Sequence, residues 1–344
     1  MKLPTVIESP TRRYNVKGLI ASGDLSEVYS ATYANGGGDN HVDVKVTRKA
    51  SDNDLTTNEA AILGFMRPQP DTTDLKLRFY LPKLIDSFVS TDGLRVNVFG
   101  HDGESDFEPR VTLESILRAY PKGLNFRDMV WMYKRLLVAI GYTHSKGVIH
   151  GGVLPPHVLV HPTGHGAKLI DWTSALNFAA LVKPKDPDPK AKAPAPHKAA
   201  NAWEKLLEDP EYDPDPVGRF LAPAVNVDPN KMYVRVVSVP WEKFYAPEIW
   251  TKKTPTPATD IFMAAKCAVA LMGGDVETNQ IPDTAFDEPE KQRTAIQAFL
   301  ASSLLQDARK RPFDAWELHE SFDKLLLGLV GKPRYRPLAM PPAN

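Results

Sequence analysis

The stretch VIHGGVLPPHVLV, from Val148 to Val160, is the most informative segment of the chain. Two short apolar runs flank a loop that carries His150 and His157 together with two glycines and two prolines. The second run continues through the turn TGHG into AKLIDW, which contains Asp171. This pattern predicts a loop between short strands that holds polar groups in place. The loop itself has no carboxylate, which raises the question of what chemistry it supports.

The composition is that of a globular protein, with 42% hydrophobic and 24% charged residues among 344. This length allows one large domain or two lobes, because a single core stops growing at roughly 250–300 residues. The formal net charge is zero, so we expect neither a nucleic-acid partner nor binding to an anionic membrane. The single cysteine, Cys267, excludes an internal disulfide. No segment resembles a signal peptide or reaches about 18 consecutive apolar residues, and we expect a cytoplasmic protein.

Proline is the compositional outlier. The chain has 31 prolines, well above the usual share of about 5%. Many of them lie in KPKDPDPKAKAPAPHK (Lys183 to Lys198) and EDPEYDPDP (Glu208 to Pro216). Alternating Pro, Lys, Ala and Asp can bury little surface, so we predict an extended, solvated insertion at residues 179–232. Residues 332–344, which end in PLAMPPAN, are predicted to form a loosely held tail.

Hydrophobic periodicity divides the rest of the chain into a strand-rich and a helix-rich part. Strand patterns occur in YNVKGLIASG, SEVYSATYA, HVDVKVTRK, FYLPKLIDSFVS and LRVNVFG, and a helix pattern occurs in SDNDLTTNEAAILGFMR. Later helices are predicted at TLESILRAYP, NFRDMVWMYKRLLVAIGYTHSKG, ATDIFMAAKCAVALMGG, KQRTAIQAFLASSLL and DAWELHESFDKLLLGLV. The order predicts an α+β fold with an arm at 1–13, an N-lobe at 14–100, a C-lobe at 101–331 that contains the insertion, and the tail.

Several short motifs follow one another along this pattern. VDVK places Lys45 on a strand, TTNEAAIL places Glu59 on the next helix, LIDWTS contains Asp171, and YAPEIW contains Glu248. With the loop, they resemble a eukaryotic-type protein kinase of the Ser/Thr class over roughly residues 14–330. The resemblance implies a bilobal protein-kinase-like fold, with a β-rich N-lobe and a helical C-lobe, that binds ATP with Mg²⁺ or Mn²⁺.

The resemblance assigns a phosphate-binding lysine and a hairpin over the nucleotide. Lys45 would hold the α- and β-phosphates and would be oriented by an ion pair with Glu59. The glycine-rich loop of a kinase corresponds to IASGDLSEVY, in which only the middle one of the three expected glycines is present. The residues of this hairpin that would contact the nucleotide are Ala21, Ser22, Gly23, Ser26 and Val28.

The catalytic loop departs most from the family. His150 matches the kinase histidine, whereas Gly151 replaces the arginine and Gly152 replaces the aspartate that receives the substrate proton. His157 replaces the metal-binding asparagine, and Leu159 completes the expected nucleotide-binding set. Imidazole nitrogen suits zinc, copper, iron or nickel better than Mg²⁺, so the alternative is that His157 only fills space or bonds to the loop. Gly151 also predicts that phosphorylation of the activation segment does not switch this protein.

The remaining motifs supply a metal-binding carboxylate and structural contacts. Asp171 would chelate the metal that bridges the phosphates, with His157 as a second metal ligand. The expected catalytic set is therefore Lys45, Glu59 and Asp171.

Two structural contacts are also implied by the resemblance. Glu248 is expected to pair with Arg311 in DARKRPFDAWEL. Asp260, at the start of the helix ATDIFMAAKCAVALMGG, is expected to tie down the backbone of the catalytic loop. These contacts would stabilise the C-lobe rather than take part in chemistry.

The implied function is that of a kinase-like protein that binds ATP and Mg²⁺ but transfers phosphate to protein Ser or Thr weakly or not at all, because Gly152 replaces the base. Three alternatives stay open: an active atypical Ser/Thr kinase, a scaffold that needs no nucleotide, and a small-molecule phosphotransferase. The last shares the Ile-Asp-Trp metal motif but lacks the pair formed by Glu248 and Arg311. A protein partner or substrate is expected at the 179–232 insertion.

Overall fold

The computed structural model describes residues 4–35, 38–67, 73–101, 111–177, 233–332 and 334–340. The predicted insertion at 179–232 lies outside the described residues. Within these ranges, a strand-rich N-terminal lobe precedes a mainly helical C-terminal lobe, which confirms the predicted α+β class. No helix in the described ranges combines the length and apolarity that are needed to cross a membrane.

The N-terminal lobe is built on a six-stranded antiparallel sheet with the order β1-β2-β3-β4-β6-β5. Its strands are β1 (Val6–Glu8), β2 (Arg13–Ser22), β3 (Ser26–Asn35), β4 (Gly38–Thr47), β5 (Lys83–Val89) and β6 (Arg95–Gly100). Each of the five predicted strand patterns lies on one of these strands. The sheet therefore follows the alternation of apolar and polar residues in the sequence, apart from its first strand.

Alternation along β4 explains how the sheet presents two different faces. Val42 and Val44 are buried and pack with Val96 and Val98 of β6 in a small apolar core. Lys45 points to the opposite face and pairs in register with Asn97 of β6. Because side chains alternate along a strand, one face is apolar and the other can carry polar groups toward the rest of the molecule.

Strand β1 corrects the prediction that residues 1–13 form an arm. Val6, Ile7 and Glu8 pair with Asn15, Tyr14 and Arg13 of β2, so the first residues extend the sheet. The physical reason is that β2 would otherwise leave unpaired backbone N–H and C=O groups along its edge. Tyr14 is fully buried beside this edge and donates a hydrogen bond to Asp86 Oδ2 at 2.7 Å.

One helix, α1 (Asn53–Met66), packs on the polar face of the sheet. Its apolar residues Ile62, Leu63 and Met66 are buried in the larger core, which otherwise consists mostly of C-terminal residues. Tyr142 Oη donates a hydrogen bond to Met66 O at 3.0 Å. The apolar side of the helix therefore packs in the C-terminal core, and its polar side contacts the sheet.

The C-terminal lobe surrounds an almost fully buried helix. Its helices are α2 (Leu113–Ala119), α3 (Phe126–Ser145), α4 (Pro247–Trp250), α5 (Pro257–Leu271), α6 (Pro289–Ser303) and α7 (Ala315–Val330). Helix α5 is the buried one, as its run of apolar residues predicts. It starts with a capping box, in which Thr256 and Thr259 each bond to the other's backbone N–H.

Short strands hold the loop at 150–157. They are β7 (Val111–Thr112), β8 (Val148–Ile149), β9 (Val158–Val160), β10 (Ala167–Leu169) and β11 (Leu176–Asn177). Strands β10, β9 and β7 form one small antiparallel sheet, and β11 pairs with β8 in another. The loop at 150–157 therefore runs between two anchored strands, as the sequence predicts.

The tail is held more closely than we predicted. Leu338 is buried, and its N–H donates a hydrogen bond to Pro162 O at 3.0 Å. The ring of His165 stacks on Trp131 and bonds through Nε2 to Arg336 O at 2.7 Å. Residues 334–340 therefore pack on the turn between β9 and β10, because a buried leucine and several backbone partners offset the entropy of ordering the chain.

The predicted structural pair of the C-terminal lobe is present. Arg311 donates from Nη1 to Glu248 Oε1 at 2.8 Å and from Nη2 to Glu248 Oε2 at 3.0 Å. Thr259 Oγ1 donates to the same carboxylate at 2.7 Å, and the Arg311 guanidinium also lies 4.6 Å from the Phe262 ring centroid. This bidentate, buried contact ties α4 to α5 and to the chain before α7.

Arg311→Met is expected to lower the free energy of unfolding by about 3–5 kcal/mol, because it leaves Glu248 as an unpaired charge in the protein interior. Arg309→Met is the matched control, since it breaks the exposed Arg309–Asp307 pair and should have little effect. Urea unfolding followed by circular dichroism measures both variants. Equal losses in the two variants would contradict this assignment.

Candidate functional site

A buried cluster of charged side chains joins the two lobes. Lys45 Nζ lies 2.9 Å from Glu59 Oε1 and 2.9 Å from Asp171 Oδ1. Lys45 comes from β4, Glu59 from α1, and Asp171 from the end of the segment that follows β10. The ion pair between Lys45 and Glu59 that the sequence predicts is confirmed, and the structure adds Asp171 to it.

The surroundings of Lys45 and Asp171 keep these two side chains charged. Burial of Lys45 disfavours its ammonium, but the carboxylates of Asp171 and Glu59 more than offset this and raise its pKa above the ordinary value. Burial likewise disfavours the carboxylate of Asp171, but Lys45, and after it His157, hold the pKa of Asp171 below its usual range. Lys45 and Asp171 therefore face each other as a charged pair at neutral pH.

Glu59 is held by more than the lysine. Its Oε1 also accepts a hydrogen bond from Trp172 N at 3.0 Å, and its Oε2 accepts one from Asn97 Nδ2 at 3.0 Å. Both Glu59 and Asn97 are buried. Asn97 was not predicted from the sequence; the signal that could have indicated it is a lone amide between the valines of RVNVF.

Asp171 adopts a backbone conformation that is uncommon for a residue with a side chain. Its φ is 62° and its ψ is 73°, in the left-handed region. Thr173 Oγ1 donates to Asp171 Oδ1 at 2.6 Å, and Trp172 Nε1 donates to Leu169 O at 2.9 Å. A strained residue persists only when its surroundings fix it, and here the two neighbouring side chains do so.

A fully buried carboxylate holds the backbone of the loop at 150–157 in place. Asp260 accepts hydrogen bonds from His150 N at Oδ2 and from Gly151 N at Oδ1, each at 2.8 Å. His144 Nε2 lies 2.9 Å from Asp260 Oδ2. The predicted contact between Asp260 and the loop backbone is therefore confirmed, and two peptide N–H groups are satisfied in the interior.

His150 is a structural residue in this loop. Gly152 N donates to its Nδ1 at 3.2 Å, so Nε2 carries the proton that bonds to Ile170 O at 3.0 Å. Burial lowers the pKa of His150 to about 4. The ring packs edge-on against Trp172, with centroids 4.5 Å apart. Because both nitrogens are engaged and the ring is neutral, His150 has no free position from which to accept a substrate proton.

His157 connects the loop to the charged cluster. Its Nδ1 donates to Gly152 O at 2.8 Å, since a carbonyl oxygen can only accept. Its Nε2 lies 3.3 Å from Asp171 Oδ2. The two residues that were expected to bind metal, Asp171 and His157, are therefore neighbours. In the described ranges, this site included, no group of three or more His, Cys, Asp or Glu side chains is arranged to hold a metal ion.

The two glycines of the loop differ in the space around them. Gly151 has a φ of +74°, and a Cβ there would lie 2.9 Å from Val234 Cγ2 and 3.0 Å from Ser174 O. At Gly152 the nearest atoms to a Cβ are His157 Nδ1 at 3.7 Å and His150 Nδ1 at 3.8 Å, which is ordinary contact. Position 151 therefore requires glycine, whereas position 152 has room for a side chain.

The hairpin between β2 and β3 lies next to the lysine. Ala21 pairs with Val28, and Val28 pairs with Lys45, so these three residues follow one another across the sheet. Gly23 N donates to Ser26 O at 2.9 Å and closes the hairpin. Ser22 and Gly23 are exposed, and Ser26 is buried.

Leu159 is the remaining predicted nucleotide contact. It is half-buried on β9, two residues after His157, and pairs in register with Lys168 of β10 and with Thr112 of β7.

The segment Tyr233–Ser238 contacts three parts of the site and was not found from the sequence. Val234 is buried against Gly151, and Arg235 forms an ion pair with Asp54 of α1. Ser238 Oγ donates to Asp24 Oδ2, in the hairpin turn, at 3.1 Å. The segment therefore links the loop, the helix and the hairpin, and no short motif signals these contacts because they join residues far apart in the sequence.

Comparison with known proteins identifies this architecture. No protein family model matches the chain. The kinase domain of PknI from Mycobacterium tuberculosis, in a double-mutant form, is similar with a TM-score of 0.57 and 13% identity, over 94% of this chain and 99% of that one. A single-mutant form gives a TM-score of 0.56 at 13% identity, with the same coverage. The chain has the protein kinase fold.

A curated relative points in the same direction over a short stretch. Casein kinase II subunit alpha' from Saccharomyces cerevisiae is 40% identical over 45 residues, which is 13% of this chain and 13% of the yeast protein. The match thus spans only about an eighth of that protein's length. The kinase fold covers both lobes, and the bilobal architecture that we predicted is confirmed.

Gly151→Ala is expected to lower the free energy of unfolding by about 1–3 kcal/mol, because alanine is strained in the left-handed region. The clash with Val234 adds to this cost. Gly152→Ala is the matched control one residue away, and it should be neutral or stabilise by up to about 1 kcal/mol through the unfolded state. Urea titration of both variants tests the difference, and a larger loss at position 152 would contradict it.

Proposed function

We propose that this chain is a kinase-like nucleotide-binding protein, which takes up ATP with Mg²⁺ or Mn²⁺ and transfers phosphate to protein Ser or Thr weakly or not at all. The observation that carries the proposal is the assembled cluster of Lys45, Glu59 and Asp171 in a kinase fold. In protein kinases, the lysine at the position of Lys45 contacts the phosphates of ATP, and the aspartate at the position of Asp171 holds the metal.

The metal-binding groups fit a divalent cation in part. A carboxylate is the donor that Mg²⁺ prefers, and Asp171 remains ionised beside Lys45. The second group is an imidazole, whose Nε2 on the side of Asp171 suits Mn²⁺ or zinc better than Mg²⁺. We therefore propose Asp171 as the main metal ligand and His157 as an auxiliary one. A bound metal ion would neutralise phosphate charge next to Lys45.

Weak transfer follows from what surrounds the position of the missing base. Gly152 carries no carboxylate, and His150 is neutral with both nitrogens engaged. His157 Nδ1 donates its hydrogen bond to Gly152 O. General-base help is worth about 10²- to 10⁴-fold, so a chain that retains only positioning and charge would be slow. The expected protein partner at the 179–232 insertion and a cytoplasmic location remain parts of this proposal.

A scaffold that needs no nucleotide is the second candidate, and one observation favours it. One oxygen of Asp171 is already engaged, since Oδ1 accepts from Lys45 and Thr173, and His157 Nε2 lies 3.3 Å from the other oxygen, Oδ2. A cluster that is satisfied by its own side chains can serve stability alone. Nucleotide binding would have to exchange some of these contacts for contacts with phosphate.

ATP with Mg²⁺ or Mn²⁺, at about 100 times its Kd, is expected to stabilise the wild-type protein by about 2.7 kcal/mol. Lys45→Met should remove most of this effect, because it deletes the phosphate-binding cation. Lys17→Met makes the same chemical change at an exposed position of β2 and should keep the effect. Thermal unfolding with and without nucleotide measures all three proteins.

The absence of any nucleotide-dependent rise in the wild-type melting temperature would contradict nucleotide binding and favour the scaffold. An equal loss in Lys17→Met would show that the effect does not depend on the charged cluster.

Gly152→Asp is expected to raise phosphate transfer from labelled ATP to a generic protein substrate by about 10²- to 10⁴-fold, because it supplies the missing base. The structure has ordinary van der Waals space for a Cβ at this position. Gly152→Asn is the control, since it has nearly the same size and cannot accept the proton. An equal gain in the asparagine variant would contradict the role of the base, and fast transfer by the wild-type protein would favour the active-kinase alternative.

A further inference from the structure

A row of polar contacts joins α1 to the sheet and extends well beyond the charged cluster. Asn53 donates from Nδ2 to Gly93 O at 2.8 Å and accepts from Arg95 N at 2.7 Å. Thr56 Oγ1 lies 2.8 Å from Thr47 Oγ1 of β4. With Glu59, the polar helix residues are spaced three apart, so they lie on one face of the helix.

Asn97 is at the centre of this row. It is fully buried on β6, and its Nδ2 donates to Thr56 O at 2.9 Å and to Glu59 Oε2 at 3.0 Å. Its Oδ1 accepts from Ser87 Oγ at 2.6 Å. The orientation of the amide is determined by these partners, because the reversed amide would face a carbonyl and a carboxylate with its own oxygen.

The contact with Asn97 determines where the second oxygen of Glu59 points. With Oε2 anchored to the sheet, Oε1 accepts from Lys45 Nζ and Trp172 N. A carboxylate bound by a lysine alone could follow that long, flexible side chain. Without Asn97, Glu59 Oε2 would lack its donor in a buried place, which disfavours the present position of the helix.

We propose that Asn97 is a positioning residue, which holds Glu59 and through it Lys45 in the ion-paired arrangement before any ligand arrives. The effect on α1 stands on the contacts alone. One consequence is a phosphate-binding site that is assembled in advance and therefore binds nucleotide more tightly. This consequence rests on the proposed function.

Hydrogen exchange of the nucleotide-free protein tests the effect on the helix. Asn97→Leu, which keeps the size and removes both donors, is expected to speed exchange of the α1 amides and of Trp172 N by about tenfold. Tyr14→Phe is the matched control, because it deletes one buried hydrogen bond in the same sheet, to Asp86. It should leave these amides unchanged. Unchanged exchange in Asn97→Leu, or equal acceleration in Tyr14→Phe, would overturn the proposal.

If Asn97→Leu does not fold, a less disruptive substitution tests the same effect. Ser87→Ala removes the donor that orients the Asn97 carbonyl and leaves Asn97 in place. It should speed exchange of the same amides by about threefold to fivefold, as the loss of one hydrogen bond predicts. No change in these amides would count against the proposal.

A double-mutant cycle of nucleotide affinity tests whether Asn97 strengthens nucleotide binding through Glu59. Asn97→Leu is expected to weaken binding of ATP with Mg²⁺ by about tenfold in the wild-type background, and by less than about twofold in a Glu59→Ala background. Additive effects would mean that Asn97 does not act through Glu59. If the wild-type protein binds no ATP, the proposed function fails, while the exchange experiment still decides whether Asn97 holds the helix.

Discussion

The buried ammonium of Lys45, held between the carboxylates of Glu59 and Asp171, is the contact on which the arrangement of this molecule depends. It joins a strand, a helix and the chain after β10, which share no other charged contact of comparable burial among the described residues. Removing charges from water is unfavourable, so each carboxylate needs the lysine close by, and the lysine offsets the repulsion between the two carboxylates. The two lobes thereby have one favoured relative position around the lysine.

The same principle recurs deeper in the C-terminal lobe. Asp260 holds the backbone of the loop, and Arg311 holds Glu248, each with nearly complete hydrogen bonding in the interior. Such contacts add less stability than apolar packing of the same volume would, but they tolerate only one geometry. The apolar core supplies most of the stabilisation, and these polar contacts determine which surface the loop presents.

The sequence predicted the features that are local or periodic. Alternating valines placed β4, the apolar run placed the buried helix α5, and the resemblance to protein kinases paired Lys45 with Glu59. It did not predict strand β1 or the packed tail, because three residues pairing with a sheet edge carry no periodicity of their own. Asn97 and Val234 were missed for another reason, since the value of a buried contact depends on a partner far away in the chain.

The two glycines of the loop also differ in how easily mutation could change them. At position 152 a single substitution can introduce a carboxylate, because the backbone and the surroundings already accept a side chain. At position 151 the left-handed backbone and the Val234 side chain both exclude one, so a new residue there requires a second substitution and a change of backbone conformation. Acquiring a proton acceptor is therefore one mutational step away, whereas acquiring a cation beside it requires several steps that depend on one another.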